Sequence, residues 1–293
     1  MVSFLSNNPW DAPNNQAGSG ILTASGPQQN YGSTSSYYSY RTRFDAKVDH
    51  YFTDSNRIFG RYSQVMNRAV GDQIGLNWKL LDGTAVLTPS DQENIVVSDT
   101  HVFGPALVNE VRLGFNRRRQ SRTPPGLNEG WAQKLGIPNV SGATFPSFFD
   151  STTKPFFGAP FPGGAYNQVN QSFTLPDNLT LVRGRHSFKM GYEILKTAEN
   201  SLAASTPGGT FSFGGTAYPF TPNTGNDFAA FLLGAVSKAT FNTTLATWLP
   251  RWWSHAAYFQ DDWTVSPRLT LNLGLRWSFE TPFETKYGQQ SQF

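Results

Sequence analysis

The amino-acid sequence predicts an all-β chain, part of the wall of an antiparallel, up-and-down β-barrel that crosses a membrane. Three observations carry this reading. Residues 269–280 alternate strictly, with Leu269, Leu271, Leu273, Leu275, Trp277 and Phe279 on one face and Thr270, Asn272, Gly274, Arg276, Ser278 and Glu280 on the other. Aromatic residues make up 15% of the chain and charged residues only 15%, against roughly 25% charged in an ordinary soluble domain. Short and long connections alternate, as they do in barrels with tight turns on one side of the membrane and extended loops on the other.

Composition removes several classes. The mean hydropathy is -0.40, and the longest apolar stretch, near residues 228–236, falls far short of the roughly 18 to 20 residues of a membrane-spanning helix. A helical membrane protein is excluded. A barrel strand meets lipid with one face and a polar lumen with the other, so its average hydropathy stays low. The net charge of +3 is small and its basic residues are scattered, without the clustered face that nucleic acid requires. With no cysteine there is no disulfide framework, zinc-thiolate site or thiol nucleophile.

Residues 1–36 read as an irregular segment or loop. Residues 1–10 lack both a basic stretch and an apolar one, so they do not read as a secretory signal. The chain is therefore expected to be a piece of a longer protein, or a reading frame that starts inside its gene. The barrel occupies 37–293. Its first hairpin sets Tyr38, Tyr40, Thr42, Phe44, Ala46 and Val48 against Arg41, Arg43, Asp45, Lys47 and Asp49. It turns at Thr53-Asp54-Ser55-Asn56, residues that favour turns through local side-chain bonds, and returns over 57–66, where Phe59 falls on the polar face. A second hairpin runs 94–103, Gly104-Pro105, 108–117. A third runs 170–182, turns at Arg183-Gly184-Arg185-His186 and returns over 187–196. Pro176 marks a bulge or a strand start there. The last pairs 251–264 with 269–280 through Val265-Ser266-Pro267-Arg268, and Trp252, Trp253, Tyr258, Phe259 and Trp263 crowd near its ends as an interfacial girdle does.

The links between hairpins are long, about 67–93, 118–169 and 197–250, and rich in Gly, Pro, Ser, Asn and Phe. The last is expected to hide a further strand pair near 210–213 and 236–245, joined by the apolar segment 227–234. That brings the count to about ten, an even number that keeps every tight turn on one side.

Several stretches resemble the barrel of TonB-dependent receptors of the Oar-like kind. They are Phe44-Asp45-Ala46-Lys47-Val48-Asp49-His50 with Asn56-Arg57-Ile58-Phe59-Gly60-Arg61-Tyr62-Ser63, Val108-Asn109-Glu110-Val111-Arg112, and Gly184-Arg185-His186-Ser187-Phe188-Lys189-Met190-Gly191-Tyr192-Glu193. To these are added Tyr258-Phe259-Gln260-Asp261-Asp262-Trp263 and Pro267-Arg268-Leu269-Thr270-Leu271-Asn272-Leu273-Gly274-Leu275-Arg276-Trp277. The resemblance spans roughly residues 37–283. It implies a 22-stranded barrel of which this chain is a part, an N-terminal plug and a TonB-contacting segment, both absent here, and energy-coupled uptake of a scarce ligand across the outer membrane. The implied partners are outer-membrane lipid, the TonB system acting through the plug, and a ligand the sequence does not identify.

Arg41, Arg43, Asp45, Lys47 and Asp49 are candidates to line the lumen or contact the plug. Their other reading is that they keep the wall hydrated and pair across strands. The loop rings Phe145, Phe148, Phe149, Phe156, Phe157 and Phe161 either stack on ligand or pack the loop against itself. Phe293 sits among Gln289, Gln290, Ser291 and Gln292, which do not alternate with rings, and reads as a truncation point rather than an assembly signal. Catalysis has no support: His50, His101, His186 and His255 are dispersed without metal-ligand spacing, no nucleophile elbow or phosphate loop occurs, and adjacent Asp261 and Asp262 point to opposite faces of a strand. No cofactor is called for. The competing readings are a soluble, aromatic-rich all-β carbohydrate-binding module, which needs shorter strands and a buried apolar face, and a small complete porin-like barrel.

Overall fold

The structure is a computed structural model that describes residues 22–23, 26–27, 37–72, 85–123, 127–140, 144–150, 155–157, 166–203, 208–214, 227–241 and 247–288. Eight long strands dominate it: β1 Tyr37–Thr53, β2 Asn56–Asp72, β3 Ser90–Gly104, β4 Leu107–Arg122, β5 Tyr166–Arg183, β6 His186–Ala203, β7 Pro250–Ser266 and β8 Leu269–Glu280. Each is antiparallel to its sequence neighbour, and the order in space is the order in the chain. The strands hold 12 to 18 residues, more than the 9 to 11 that span a bilayer at a tilt. Most run several residues farther into the long links than alternation alone marks, because ladder pairing continues after the apolar face has ended.

Two-residue turns close the hairpins at Asp54-Ser55, Pro105-Ala106, Gly184-Arg185 and Pro267-Arg268. Gly184 has φ 62° at the first central position, the place where a type II′ turn needs a positive φ and a glycine supplies it. The other three hairpins each shift register just before the turn, between Tyr51 and Thr53, Val102 and Gly104, and Thr264 and Ser266. Such bulges add one residue to one strand and increase the local twist.

Neighbouring hairpins are staggered. Asn56 pairs with His101, three residues short of Gly104; Leu107 pairs with Leu181, two short of Arg183; His186 pairs with Trp263, three short of Ser266. A slip of two to three residues at about 3.3 Å each, over two strand spacings of about 4.8 Å, tilts the strands by roughly 35 to 45°. That is the tilt of a barrel wall.

Pro176 corrects one expectation. It neither starts β5 nor bulges it: the pairing with β6 runs unbroken through Pro176 and Glu193, while the pairing with β4 stops at Thr174–Gly114 and resumes at Asp177–Val111. The missing N–H opens a gap on one side of the strand only.

The strand pair expected inside the last link exists but is not part of the wall. Thr210–Ser212 pairs antiparallel with Lys238–Thr240 and parallel with Ser147–Phe149, which pairs in turn with Pro155–Phe157. This four-stranded sheet draws on two links, the one after β4 and the one after β6. Tyr166 pairs with both Arg122 and Ala203, so the two links leave the wall side by side at the same end. With the short helices Trp131–Lys134 and Asp227–Leu233 they build a cap around Phe145, Phe148, Phe211, Phe213 and Phe231. Among the described residues the wall therefore has eight long strands, with short strands pairing at their loop ends.

Candidate functional site

Register decides which side chains share a face. Starting from the residues opposite Asp45, one row runs Ser63, Asn94, Asn116, Ser172, Thr197 across β2 to β6. The neighbouring row toward the loops runs Arg43, Val65, Gln92, Arg118, Asn170, Glu199. All of these fall on one face, and the same phase continues through Gln260, Asp262, Asn272 and Arg276 in β7 and β8. The opposite face carries Phe44, Val48, Ile95, Val97, Leu113, Phe173, Leu175, Tyr192, Phe259, Leu273 and Leu275, every one of them exposed. Leu275 reaches 76% and Val48 70%. A soluble sandwich would bury that face; a barrel wall turns it to lipid. The band also drifts with the tilt: the row that starts at Val48, near the turn end of β1, ends at Phe279, near the loop end of β8.

Toward the turns this outward face closes with a belt of rings and polar pairs. His50 packs edge-on against Phe52, and His101 meets Phe103 at a steep tilt, with ring centroids 4.4 Å apart in each pair. The bulges bring these i, i+2 rings together. His186 lies flat between Phe188 at 5.4 Å and Trp263 at 5.3 Å and contacts Asp261 at 2.7 Å. Asn56 donates to Asp99 at 2.9 Å and Asn109 to Asp177 at 2.6 Å. Rings with a polar partner mark a membrane–water interface. Three of the four histidines thus serve the belt, and the fourth, His255, bonds Tyr192 Oη at 2.8 Å.

The sequence candidates on β1 sit together on the polar face. Asp45 accepts from Arg43 at 2.6 Å, from Ser63 at 2.6 Å and from Arg61 at 3.1 Å. Asp49 pairs with Lys47 at 3.0 Å and with Arg57. Lys47 also lies 5.0 Å from the ring centre of Phe59, which accounts for an aromatic residue on the polar side: the ring faces a cation. Arg112 with Glu110 and Lys189 with Asp262 repeat the pairing on later strands. Arg41 differs. It has no ion pair or hydrogen bond among the described residues and instead lines a cavity of about 710 Å³ with Arg43, Arg61 and Arg118. Sequence reading missed Arg61, Arg118, Asn94 and Asn116; carrying the phase of Arg43 across the first turn would have found Arg61, while the others follow only from the pairing across the long link.

The loop candidates fare differently. Phe148 is 1% exposed and Phe149 9%; Phe148 packs on Phe211, Phe213 and Phe231. Phe148 belongs to the cap core, the second of the two uses open to it, while Phe149 is buried outside that cluster. Phe156 and Phe157 lie in the backbone strand Pro155–Phe157, but their side chains, and the whole of Phe161, fall outside the described residues.

Long tilted antiparallel strands, one lipid-compatible face, one polar face and an interfacial ring belt define a transmembrane β-barrel wall. The comparisons give the family: residues 3–293 match the model of the outer membrane beta barrel domain, and the chain belongs to that family and to the outer membrane. Among solved structures it is similar to the outer membrane transporter YddB from Escherichia coli, at 9% identity and a TM-score of 0.41, over 94% of this chain. The chain spans 38% of the length of that protein. No curated protein matches it.

Proposed function

We propose that the chain forms part of the wall of a TonB-dependent receptor that takes up a scarce ligand across the outer membrane, with the polar face lining the route and touching a plug. The observation that carries this reading is the continuous polar face, rich in arginine and amide side chains and crossing eight strands in register. A small complete barrel fits less well. Eight strands enclose a space just wide enough for side chains to fill, whereas β1 and β8 are not paired with each other and Arg43 and Arg61 keep 60% and 47% of their side-chain surface open. Unpaired backbone in hydrocarbon costs several kcal/mol per group, so both edges call for further strands and a wider barrel.

The test is retention on TonB. The assembly containing this chain, extracted in detergent from its native outer membrane, is passed over immobilised TonB periplasmic domain. Retention that is lost after the plug is proteolytically removed supports the reading. An assembly that contains no plug, or passes through unretained, refutes it.

A further inference from the structure

The polar face is not uniformly charged. Toward the turns, cations and anions pair: Lys47 and Arg57 with Asp49, Arg112 with Glu110, Lys189 with Asp262. Toward the loops the balance tips. On that face the cavity of about 710 Å³ is lined by four arginines, Arg41, Arg43, Arg61 and Arg118, and by no carboxylate among the described lining; Arg117 and Glu93, which border it, belong to the outward face. Arg43 and Arg61 share Asp45. Arg41 has no partner among the described residues, and Arg118 reaches only the neutral Gln120, at 3.0 Å. The cavity is net cationic at the end of the wall that an external ligand meets first. Field lines in such a cleft concentrate anions.

The floor between these arginines is built from amides and hydroxyls. Asn94 donates to Asn116 at 2.5 Å and Asn116 to Ser172 at 3.4 Å, giving a ladder one strand spacing per step. Beside it, Asn170 Oδ1 is buried and has no hydrogen-bond partner among the described residues. Asn170 itself also lines the cavity. No aromatic residue is among the described lining. That disfavours ligands held by ring stacking, such as neutral pyranoses or catechol chelates. Guanidinium forks match carboxylates two bonds at a time, and the volume suits a small ligand, since such sites run about 300 to 1,000 Å³.

We propose that this cavity binds a hydroxylated polycarboxylate, the chemistry of a short acidic oligosaccharide: Arg41 and Arg118 hold its carboxylates, and Asn116, Ser172 and Asn170 its hydroxyls. The proposal rests on reading the polar face as a lumen wall. The assembly containing this chain, reconstituted into lipid nanodiscs, is titrated calorimetrically with trigalacturonate and with maltotriose, a neutral trimer of equal size. Trigalacturonate is expected to bind at least tenfold more tightly than maltotriose and to weaken as salt is raised. The double variant Arg41→Gln/Arg118→Gln loses at least tenfold, while Arg112→Gln, whose ion pair lies toward the turns, changes affinity less than twofold. Equal affinity for the two trimers, no measurable trigalacturonate binding, or full binding by the double variant overturns the site. Tripolyphosphate binding as tightly, with the same arginine dependence, overturns the role of the amides. A separate arm isolates the wall reading: in the same nanodiscs Ser172→Cys reacts with a sulfonated, water-soluble maleimide and Leu113→Cys does not. Reversed labelling sinks the wall reading and the site with it; normal labelling without binding sinks the site alone.

Discussion

Leu113 offers a direct test of which face meets lipid. It lies in β4, near the middle of the sheet, on the outward side, and 56% of it is exposed. The outward residues flanking it along the sheet turn polar at Glu93 and Arg117 on the loop side and at Asp99 and Asp177 on the turn side, which places Leu113 mid-band. Truncation to alanine removes three carbon groups worth about 0.8 kcal/mol each when fully transferred. Scaled by the exposed share, Leu113→Ala loses roughly 1 to 1.5 kcal/mol of lipid transfer. No collapse of a packed core contributes, because none surrounds it. Leu113→Arg at the same depth costs roughly 2 to 4 kcal/mol. Asn116→Arg, three residues on and on the polar face, changes stability by less than about 1 kcal/mol, since its side chain stays in water. The assay is urea unfolding from lipid vesicles, followed by tryptophan fluorescence, with the slope held common so that midpoints report stability. In a soluble protein an exposed leucine is close to neutral to either change. If Leu113→Arg shifts the midpoint no more than Asn116→Arg, the outward face is not in lipid and the barrel reasoning fails.

Other positions test separate parts of the structure. Gly191 faces the Tyr258 ring, and a Cβ there would also sit 2.7 Å from Asn178 Oδ1 and 2.8 Å from the Asp177 carbonyl, so Gly191→Ala costs roughly 1 to 3 kcal/mol by overpacking. Gly60→Ala meets nothing within 4 Å and is close to neutral in the same urea titration. Phe148→Ala opens the cap core at a local cost of roughly 3 to 5 kcal/mol; limited proteolysis then cuts within residues 127–140, 144–150, 208–214 and 227–241 while the β1–β8 wall remains protected. Trp263→Ala removes one side of the His186 sandwich and lowers vesicle stability by about 1 to 2 kcal/mol, whereas Trp263→Phe, which keeps a ring at the interface, recovers at least half of that loss.

The wall was legible in the sequence because its physics is local. A strand between lipid and water writes a period of two into its own residues, and 269–280 reads off without error because both environments act on every residue. Where the outward face leaves the bilayer the signal fades, although pairing persists: β2 continues past Met66 through Arg68 to Asp72, and Arg68 now ion-pairs with Asp91 at 2.5 Å. Strand ends therefore could not be read from alternation. The cap was illegible for a different reason. Its core joins Phe148 to Phe211 and Phe231, across a stretch of chain that includes two wall strands, and no local period reports a contact of that kind. The polar site lay between these extremes, since β1 showed its face but the partner residues on β2 to β5 follow only from register, which the turns and bulges set.

The cap changes what the long links mean. A link of more than forty residues that stayed unstructured would lose much of any ligand's binding energy in being ordered, because each immobilised residue costs about 1 to 2 kcal/mol. Here two such links share a core of phenylalanines, and the ordering cost is met during folding by burial of Phe145, Phe148, Phe213 and Phe231, each 5% exposed or less. The aromatic richness of the links thus has a structural cause that needs no ligand. It also places a preorganised body at the end of the wall where Arg41 and Arg118 stand, so that recognition there would gain from rigidity. Phe148→Ala separates the two contributions. If the cap matters to recognition only by holding shape, this variant weakens trigalacturonate binding while leaving its salt dependence unchanged, because the charges that set that dependence remain on the wall. A flattened salt dependence would instead place part of the cationic site in the cap and contradict its assignment to β1 and β4.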